Sequence, residues 1–165
     1  MEPEKIRSDF PLFDERSELS YLDNAATTQK PEAVINAVKN FYRRNNANSG
    51  RGLYDLAGDA TETYQNARKN IADYINAGKE EVIFVRNTTE AENLLASALD
   101  FSGDIVLSDM AHHSEQLPWR RRARRNENGI KYMETKDGRI SVDSARKKIN
   151  GDTGLVAFSH ISNVF

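Results

Sequence analysis

Three groups of polar side chains in this 165-residue sequence stand directly after short apolar runs. The groups are Thr88 and Thr89 after residues 82–85, His112 after residues 105–107, and Asn163 after residues 155–158. Two hydroxyls at the start of a helix can seat a phosphate. An imidazole can stack on a flat ligand, donate a hydrogen bond or move a proton, and an amide can hold a hydroxyl group. These residue types therefore suit recognition of a planar, phosphorylated molecule.

Each of these residues also has a plain structural explanation. Either threonine could simply cap its helix, with Glu92 completing a capping box from Thr89. The histidine could be half of an exposed pair with His113, and the asparagine an ordinary loop residue. A metal site is disfavoured, because the sequence has one further histidine, His160, and no cysteine.

Helices and strands that would position these side chains alternate along the second half of the chain. The three apolar runs are short and rich in β-branched residues, as in strands buried on both faces. Helical patterns lie between them, at residues 90–99, 118–125 and 142–149. The alternation predicts an α/β fold with a mostly parallel sheet covered on both faces.

The order of runs and polar groups places all three groups at one edge of that sheet. Ligands of open α/β sheets bind outside the carboxyl ends of the strands. A phosphate seat, a stacking imidazole and an amide at adjacent strand ends predict a pocket for a flat, phosphorylated and hydroxylated ring. That description suits pyridoxal 5′-phosphate.

The first half of the chain has a different pattern. Residues 1–20 are interpreted as a polar arm with an apolar anchor at 10–13, and residues 21–165 as a cofactor-binding domain. Pro31 suits the first turn of a helix whose apolar face includes Val34 and Val38. A loop is predicted over 45–52, and then a helix from Asp55 to about 77, ended by Gly78.

Composition excludes several classes of function. A formal net charge of −2 and a pI near 6.0 give no basic field for nucleic acid or membrane. No apolar stretch approaches the ~20 residues that span a bilayer, and the first residues do not resemble a signal peptide. The absence of cysteine fits a cytoplasmic protein. Five arginines within residues 120–125 are interpreted as a solvated helix face and not as a nucleic-acid patch.

Six motifs in order along the chain resemble cysteine desulfurases, pyridoxal-phosphate enzymes of the class-V aminotransferase group. They are YLDNAATTQKP (21–31), NSGRG (48–52), FVRNTTEA (84–91), SDMAHHS (108–114), PW (118–119) and SHISNV (159–164). The sequences of these motifs are most similar to those of the sulfur-mobilising branch, which also contains selenocysteine lyases. The resemblance implies the N-terminal part of a fold type I large domain.

The resemblance also implies roles for individual residues. Thr88 and Thr89 would bind the cofactor phosphate, and His112 would stack over the pyridine ring and assist proton transfer as a catalytic residue. Asn163 would hydrogen-bond the phenolic oxygen of the ring. Substrate-proximal positions would be Ala25, Ala26 and Arg51, and no metal is implied.

Some positions depart from the family pattern. Ala111 stands where a glutamate is usual and Asn87 where a glycine is usual, while Gly50 and Tyr54 are often histidine. These changes affect the inferred identity of the substrate more than that of the cofactor. The Schiff-base lysine and the persulfide cysteine of the family have no counterpart in these residues. We therefore expect an N-terminal portion that is inactive as an isolated chain.

The activity implied is removal of sulfur from L-cysteine, leaving alanine and a persulfide for iron–sulfur cluster assembly. A homodimer when complete, a sulfur-accepting scaffold protein and a cytoplasmic location are implied with it. Another class-V enzyme, such as a selenocysteine lyase, an epimerase or a kynureninase-like hydrolase, is the first alternative. A non-catalytic fragment that serves as an assembly module is the second.

Overall fold

The computed structural model describes residues 2–164, which divide into two compact units between Ile83 and Phe84. The first unit is helical, and the second carries every β-strand found in the described residues. The α/β class with a parallel sheet, predicted from the alternation of patterns, is confirmed.

The first unit consists of four α-helices and two short turns of other helical types. The helices are α1 (Pro3–Arg7), α2 (Pro11–Glu15), α3 (Glu32–Asn40) and α4 (Asp55–Tyr74). A π-helical turn, Phe41–Asn45, continues α3, and a 3₁₀ turn, Lys79–Glu81, follows α4.

The start of α3 agrees with the prediction from Pro31. Pro31 occupies the N-cap position, where the fixed φ of proline suits entry into a helix. The apolar face of this helix is not buried within the unit, since Val34 and Val38 are both exposed. The apolar periodicity therefore predicts that this segment is helical, but it does not predict which element covers the apolar face of the helix.

The predicted end of α4 at Gly78 is wrong. The helix ends at Tyr74, and Asn76 adopts the left-handed conformation with φ of 56°. Asparagine is one of the few residues that tolerate this conformation, and it ends helices as glycine does. Arg68 of α4 donates from Nε to the carbonyl of Val82 at 2.6 Å, which ties the helix to the chain that leaves the unit.

The strand predicted over residues 82–85 is also wrong. Among the described residues no strand pairs with this run, and Ile83 is 66% exposed. A β-strand needs an adjacent strand for its ladder of backbone hydrogen bonds, so an apolar, β-branched run without a partner strand stays irregular. Two of the three predicted runs are therefore strands of the sheet.

The second unit alternates helices with strands. Its helices are α5 (Thr88–Ala98), α6 (His113–Asn126) and α7 (Val142–Lys148). Its strands are β1 (Asp104–Ser108), β2 (Ile130–Met133), β3 (Thr135–Lys136), β4 (Arg139–Ile140) and β5 (Thr153–Ala157).

The main sheet has the order β2-β1-β5, with both pairs parallel. Ile105 pairs with Ile130 on one side and with Leu155 on the other. Ile105 and Leu107 are completely buried and form a core with Trp119 of α6. β1 lies in the centre of the sheet, and its three apolar residues, 105–107, are all buried. Burial on both faces matches the pattern expected of a parallel strand.

Strand β2 and the β3–β4 hairpin were not predicted. Lys131 interrupts the apolar run of β2, and its ammonium lies 2.5 Å from the carboxylate of Asp104 on the neighbouring strand. The hairpin turns at Asp137 and Gly138, whose φ angles are 50° and 72°. An Asp-Gly pair with two positive φ angles is the type I′ turn that joins short antiparallel strands.

Helix α6 starts five residues earlier than predicted. Pro118 was expected near the start of the helix, yet it lies inside α6, where one backbone hydrogen bond is absent. Four of the five arginines in 120–125 are exposed, as interpreted from the sequence, but Arg122 is 7% exposed. Its Nη1 donates to the carbonyl of Ala96 at 2.9 Å, and its guanidinium stacks 4.2 Å from the Phe101 ring centroid.

Within residues 2–164, no helix combines the length and the apolar character needed to cross a bilayer.

The close approach of β5 to the start of β1 predicts a strict requirement for glycine. A Cβ at Gly154 would overlap the carbonyl oxygen of Ser102 and the Phe101 ring. We expect Gly154→Ala to lower the free energy of unfolding by about 1–3 kcal/mol, measured by urea denaturation. Gly151→Ala is the control, because a Cβ there meets open space, and equal stabilities for the two variants would contradict this packing.

Candidate functional site

A cavity of about 230 Å³ lies at the carboxyl ends of β1 and β5. It is lined by the chain that follows each strand and by the β3–β4 hairpin. The lining includes Ser108, Ala111, His112, Arg139, Ser159 and Asn163. The structure thus brings together two of the predicted site residues, His112 and Asn163, at the sheet edge where α/β proteins bind ligands.

His112 is the N-cap residue of α6 and is exposed. The Nδ1 atom of its ring lies 2.8 Å from the Ser114 hydroxyl and 3.1 Å from the Ser114 amide nitrogen. Helix N-caps are usually serine, threonine, aspartate or asparagine. A histidine in this position holds its ring against the first turn of the helix, beside the cavity.

His113 occupies the first helical position of α6 and does not line this cavity. Its ring centroid lies 6.4 Å from that of His112. The residues that the structure describes contain no cluster of three or more histidine, aspartate or glutamate side chains placed to hold a metal ion.

Asn163 belongs to the segment that follows β5, and this segment is anchored through Ser159. The Ser159 hydroxyl donates to Oε2 of Glu115 at 3.1 Å. Glu115 lies in the first turn of α6, three residues after His112. This contact therefore joins the segment that carries Asn163 to the turn that carries His112.

Glu115 is a buried carboxyl group in an unusual environment. It is 7% exposed, and its Oε1 has no hydrogen-bond partner among residues 2–164. Burial raises the pKa of the Glu115 carboxyl above its ordinary value of 4.5, the hydrogen bond from Ser159 opposes this, and the charge of Glu92 adds to it. Sequence reasoning missed this residue, because a glutamate beside a run of arginines is typical of an exposed helix face.

Thr88 and Thr89 form the first turn of α5, and both are exposed. Neither is the N-cap residue, which is Asn87; its Oδ1 accepts from the Glu90 amide at 2.9 Å. Glu92 completes no capping box and instead accepts at Oε2 from the Trp119 indole at 2.7 Å. The capping explanation of the two threonines is thus wrong, and their hydroxyls are left for another partner.

The charge of Glu90 at this helix start is balanced by Arg86. Glu90 accepts from the Arg86 amide at 2.6 Å and from the guanidinium at 3.2 Å. The guanidinium contact, followed by the amide contact, lowers the pKa of the Glu90 carboxyl. Because the carboxylate is already paired, its repulsion of a second anion at the N-terminus of α5 is reduced.

Helices α5 and α6 pack side by side and begin at the same end. Glu92 contacts Trp119 and the Ala96 carbonyl contacts Arg122, so residue numbers rise together along both contacts and α5 runs parallel to α6. Thr89 does not line the cavity of His112 and Asn163; it borders a separate concavity with Arg86 and Asn93. The predicted phosphate seat therefore lies outside this cavity.

The predicted substrate-proximal residues lie in the first unit. Ala25 and Ala26 form an exposed turn, in which the Ala26 amide donates to the Asp23 carbonyl at 3.2 Å. Arg51 is exposed in the loop before α4. Their predicted nearness to a substrate stays a prediction.

The comparisons with a family model, with curated proteins and with solved structures all indicate the same family. The aminotransferase class-V family model matches residues 20–165. A probable cysteine desulfurase of Halobacterium salinarum is 39% identical over an alignment of 171 positions that covers 97% of this chain. The apo cysteine desulfurase of Thermococcus onnurineus NA1 superposes with a TM-score of 0.88 and 37% identity over 99% of this chain. The Escherichia coli cysteine desulfurase CsdA superposes with a TM-score of 0.76 and 28% identity over 94%.

The match covers a minor part of each of these proteins. The chain spans 41% of the Halobacterium relative, 41% of the Thermococcus protein and 40% of the Escherichia protein.

The buried carboxyl of Glu115 predicts a stability that depends on pH. Because its folded pKa is raised above 4.5, the folded state keeps a proton that the unfolded chain has lost, and stability falls as pH rises through that window. Glu115→Gln keeps the shape without the charge. We expect this variant to gain stability relative to the parent chain between about pH 4 and pH 8, measured by denaturation midpoints.

Glu134→Gln is the matched control for this comparison, because Glu134 is an exposed glutamate of the same unit. A difference between the parent chain and Glu115→Gln that stays constant with pH would contradict the raised pKa.

Proposed function

Because the chain belongs to the aminotransferase class-V family, we propose that its second unit supplies one wall of a pyridoxal 5′-phosphate site in a cysteine desulfurase. The observation that carries the proposal is the shared cavity of His112 and Asn163, with the start of α5 at the same end of the helix layer. The relatives that cover nearly the whole chain at 37–39% identity support the choice of reaction.

The residues present fit the cofactor in their chemistry. Thr88 and Thr89 offer two hydroxyls and their own backbone amides at a helix N-terminus, which suit a phosphate dianion. His112 offers a flat ring beside the cavity, and Asn163 offers an amide that can donate to an oxygen. The carboxylate nearest the threonines in sequence is Glu90, and its pairing with Arg86 reduces its repulsion of a phosphate there.

The role of these residues is to bind and orient. The cofactor, when bound, supplies an electron sink for the amino-acid substrate. The threonines would hold its phosphate, and Asn163 would fix the rotation of its ring through one hydrogen bond. His112 would cover one face of the ring, exclude water from it and hold a proton at its edge. Ala25, Ala26 and Arg51 are proposed to lie on the substrate side.

The substrate, the products, the sulfur acceptor and the assembly are proposed from the same family membership. The substrate would be L-cysteine, the products alanine and a persulfide, and the recipient a sulfur-accepting scaffold protein in the cytoplasm. Because the 165 residues contain no cysteine, the thiol that receives sulfur must come from other residues. Residues 1–20 are proposed to act as an arm to the domain over 21–165, and the assembly to be a homodimer.

A second candidate function is a non-catalytic assembly module. The absence of cysteine favours it, because no sulfur can be carried on a thiol of these residues themselves. This candidate predicts that the chain binds a partner protein without binding the cofactor.

Cofactor recognition is tested by equilibrium dialysis with pyridoxamine 5′-phosphate. This probe has the ring and the phosphate but no aldehyde, so it does not react with exposed lysines. We expect the chain to bind it, and the double variant Thr88→Val, Thr89→Val to bind about tenfold more weakly, because two charge-assisted hydrogen bonds are lost.

Thr63→Val is the control, since Thr63 is an exposed threonine of α4. Undetectable binding by the parent chain, or equal binding by the double variant, would count against the phosphate seat.

The reaction is tested by assaying the protein translated from the whole open reading frame that encodes these residues. We expect it to release sulfide and alanine from L-cysteine in the presence of a reductant, and we expect the 165-residue chain alone to release neither, because it has no thiol. Alanine released from selenocysteine but not from cysteine would assign the selenocysteine lyase alternative. Binding of the cofactor with no turnover of either amino acid would contradict both activities.

A further inference from the structure

The first turn of α6 directs two hydrogen-bond donors at one nitrogen of His112. The Ser114 amide nitrogen lies 3.1 Å from Nδ1, and the Ser114 hydroxyl oxygen lies 2.8 Å from the same atom. A backbone amide can only donate. Nδ1 therefore accepts, and it must present a lone pair and not a proton.

The position of the proton on the ring follows from this contact. A neutral imidazole carries one N–H group, and the other nitrogen is the acceptor. With Nδ1 accepting, the proton of neutral His112 is on Nε2. Because Nδ1 has a lone pair to offer, the Ser114 hydroxyl also acts as a donor to it.

The two donors differ in what fixes them. The Ser114 amide is one of the first-turn N–H groups that have no partner inside a helix, so its direction is set by the helix itself. The hydroxyl can rotate and is contributed by the side chain, so it depends on serine at this position. Hydrogen bonds of this kind select between histidine tautomers in other proteins as well.

We propose that Ser114 is a positioning residue that holds His112 as its Nε2–H tautomer, so that the ring offers the cavity a donor and not an acceptor. The use of this donor rests on the proposed function. In that setting His112 gives a hydrogen bond or a proton from Nε2 to an electron-rich atom of the ligand. It cannot take up a proton at Nε2 until it has released the one it holds.

The other histidines of the chain provide internal comparisons. Within residues 2–164 the rings of His113 and His160 make no hydrogen bond comparable to that of His112. Both rings are exposed and are free to exchange between tautomers in water. A tautomer that is fixed in His112 alone is therefore the signature of the contact with Ser114.

The tautomers are read directly from the ring nitrogens. Two-bond ¹H–¹⁵N correlation spectra of the uniformly ¹⁵N-labelled chain, at about pH 8.5 where histidines are neutral, separate protonated from unprotonated ring nitrogens. We expect His112 to show an unprotonated Nδ1 and a protonated Nε2, and His113 and His160 to show averaged values. An averaged His112, or one protonated at Nδ1, would overturn the proposal.

Two substitutions isolate the hydroxyl. Ser114→Ala keeps the backbone donor and should lower the ratio of Nε2–H to Nδ1–H tautomer in His112 about fivefold. Ser114→Thr keeps a hydroxyl and should restore the ratio of the parent chain. Far-ultraviolet circular dichroism and denaturation midpoints confirm that both variants remain folded.

A ratio unchanged in Ser114→Ala would refute the role of the serine side chain. The spectra need no ligand, so this result is separate from the binding of pyridoxamine 5′-phosphate. A chain that fails to bind the probe but shows a fixed His112 would refute the proposed function and leave the tautomer assignment standing.

Discussion

The pairing of β1 on both of its edges determines where the other elements of the second unit can lie. Ile105 and Leu107 lie on one face of this strand and Val106 lies on the other. All three are completely buried, so both faces of the strand are covered as well as both edges. The burial of such side chains is worth roughly 1.5–3 kcal/mol each. Strands β2 and β5 satisfy the edges, and Trp119 and Ala123 of α6 contribute to the core on one face.

The site depends on this arrangement because it uses the ends of the same elements. The chain leaves β1 and enters α6 at His112, and it leaves β5 toward Ser159 and Asn163. The contact from Ser159 to Glu115 then joins these two exits. Helix α5 contributes no residue to the cavity, but it is held parallel to α6 by Glu92 with Trp119 and by Arg122 with the Ala96 carbonyl.

Sequence patterns predicted the parts of the fold that depend on local character. The apolar strands β1 and β5, helix α7 and the helix after Pro31 were expected, and the structure has them. Strand β2 was missed because Lys131 lies in it, paired with Asp104 on a strand 27 residues earlier in the sequence. Residues 82–85 have the composition of a strand, but no strand of the described residues pairs with them, so composition alone wrongly predicted a strand there.

The sequence by itself determined the family, the α/β class and the identity of His112 and Asn163 as residues at strand ends, because short motifs and apolar periodicity are local properties. The tertiary structure decided which of these residues share a cavity, since only the parallel pairing of β1 with β5 brings residues about 50 positions apart into contact. It also decided the states of individual groups. Burial of Glu115 raises its pKa, because the atoms that bury it meet only after the chain has folded. The proposed Nε2 proton of His112 depends on a contact between residues two apart, which forms once α6 has formed.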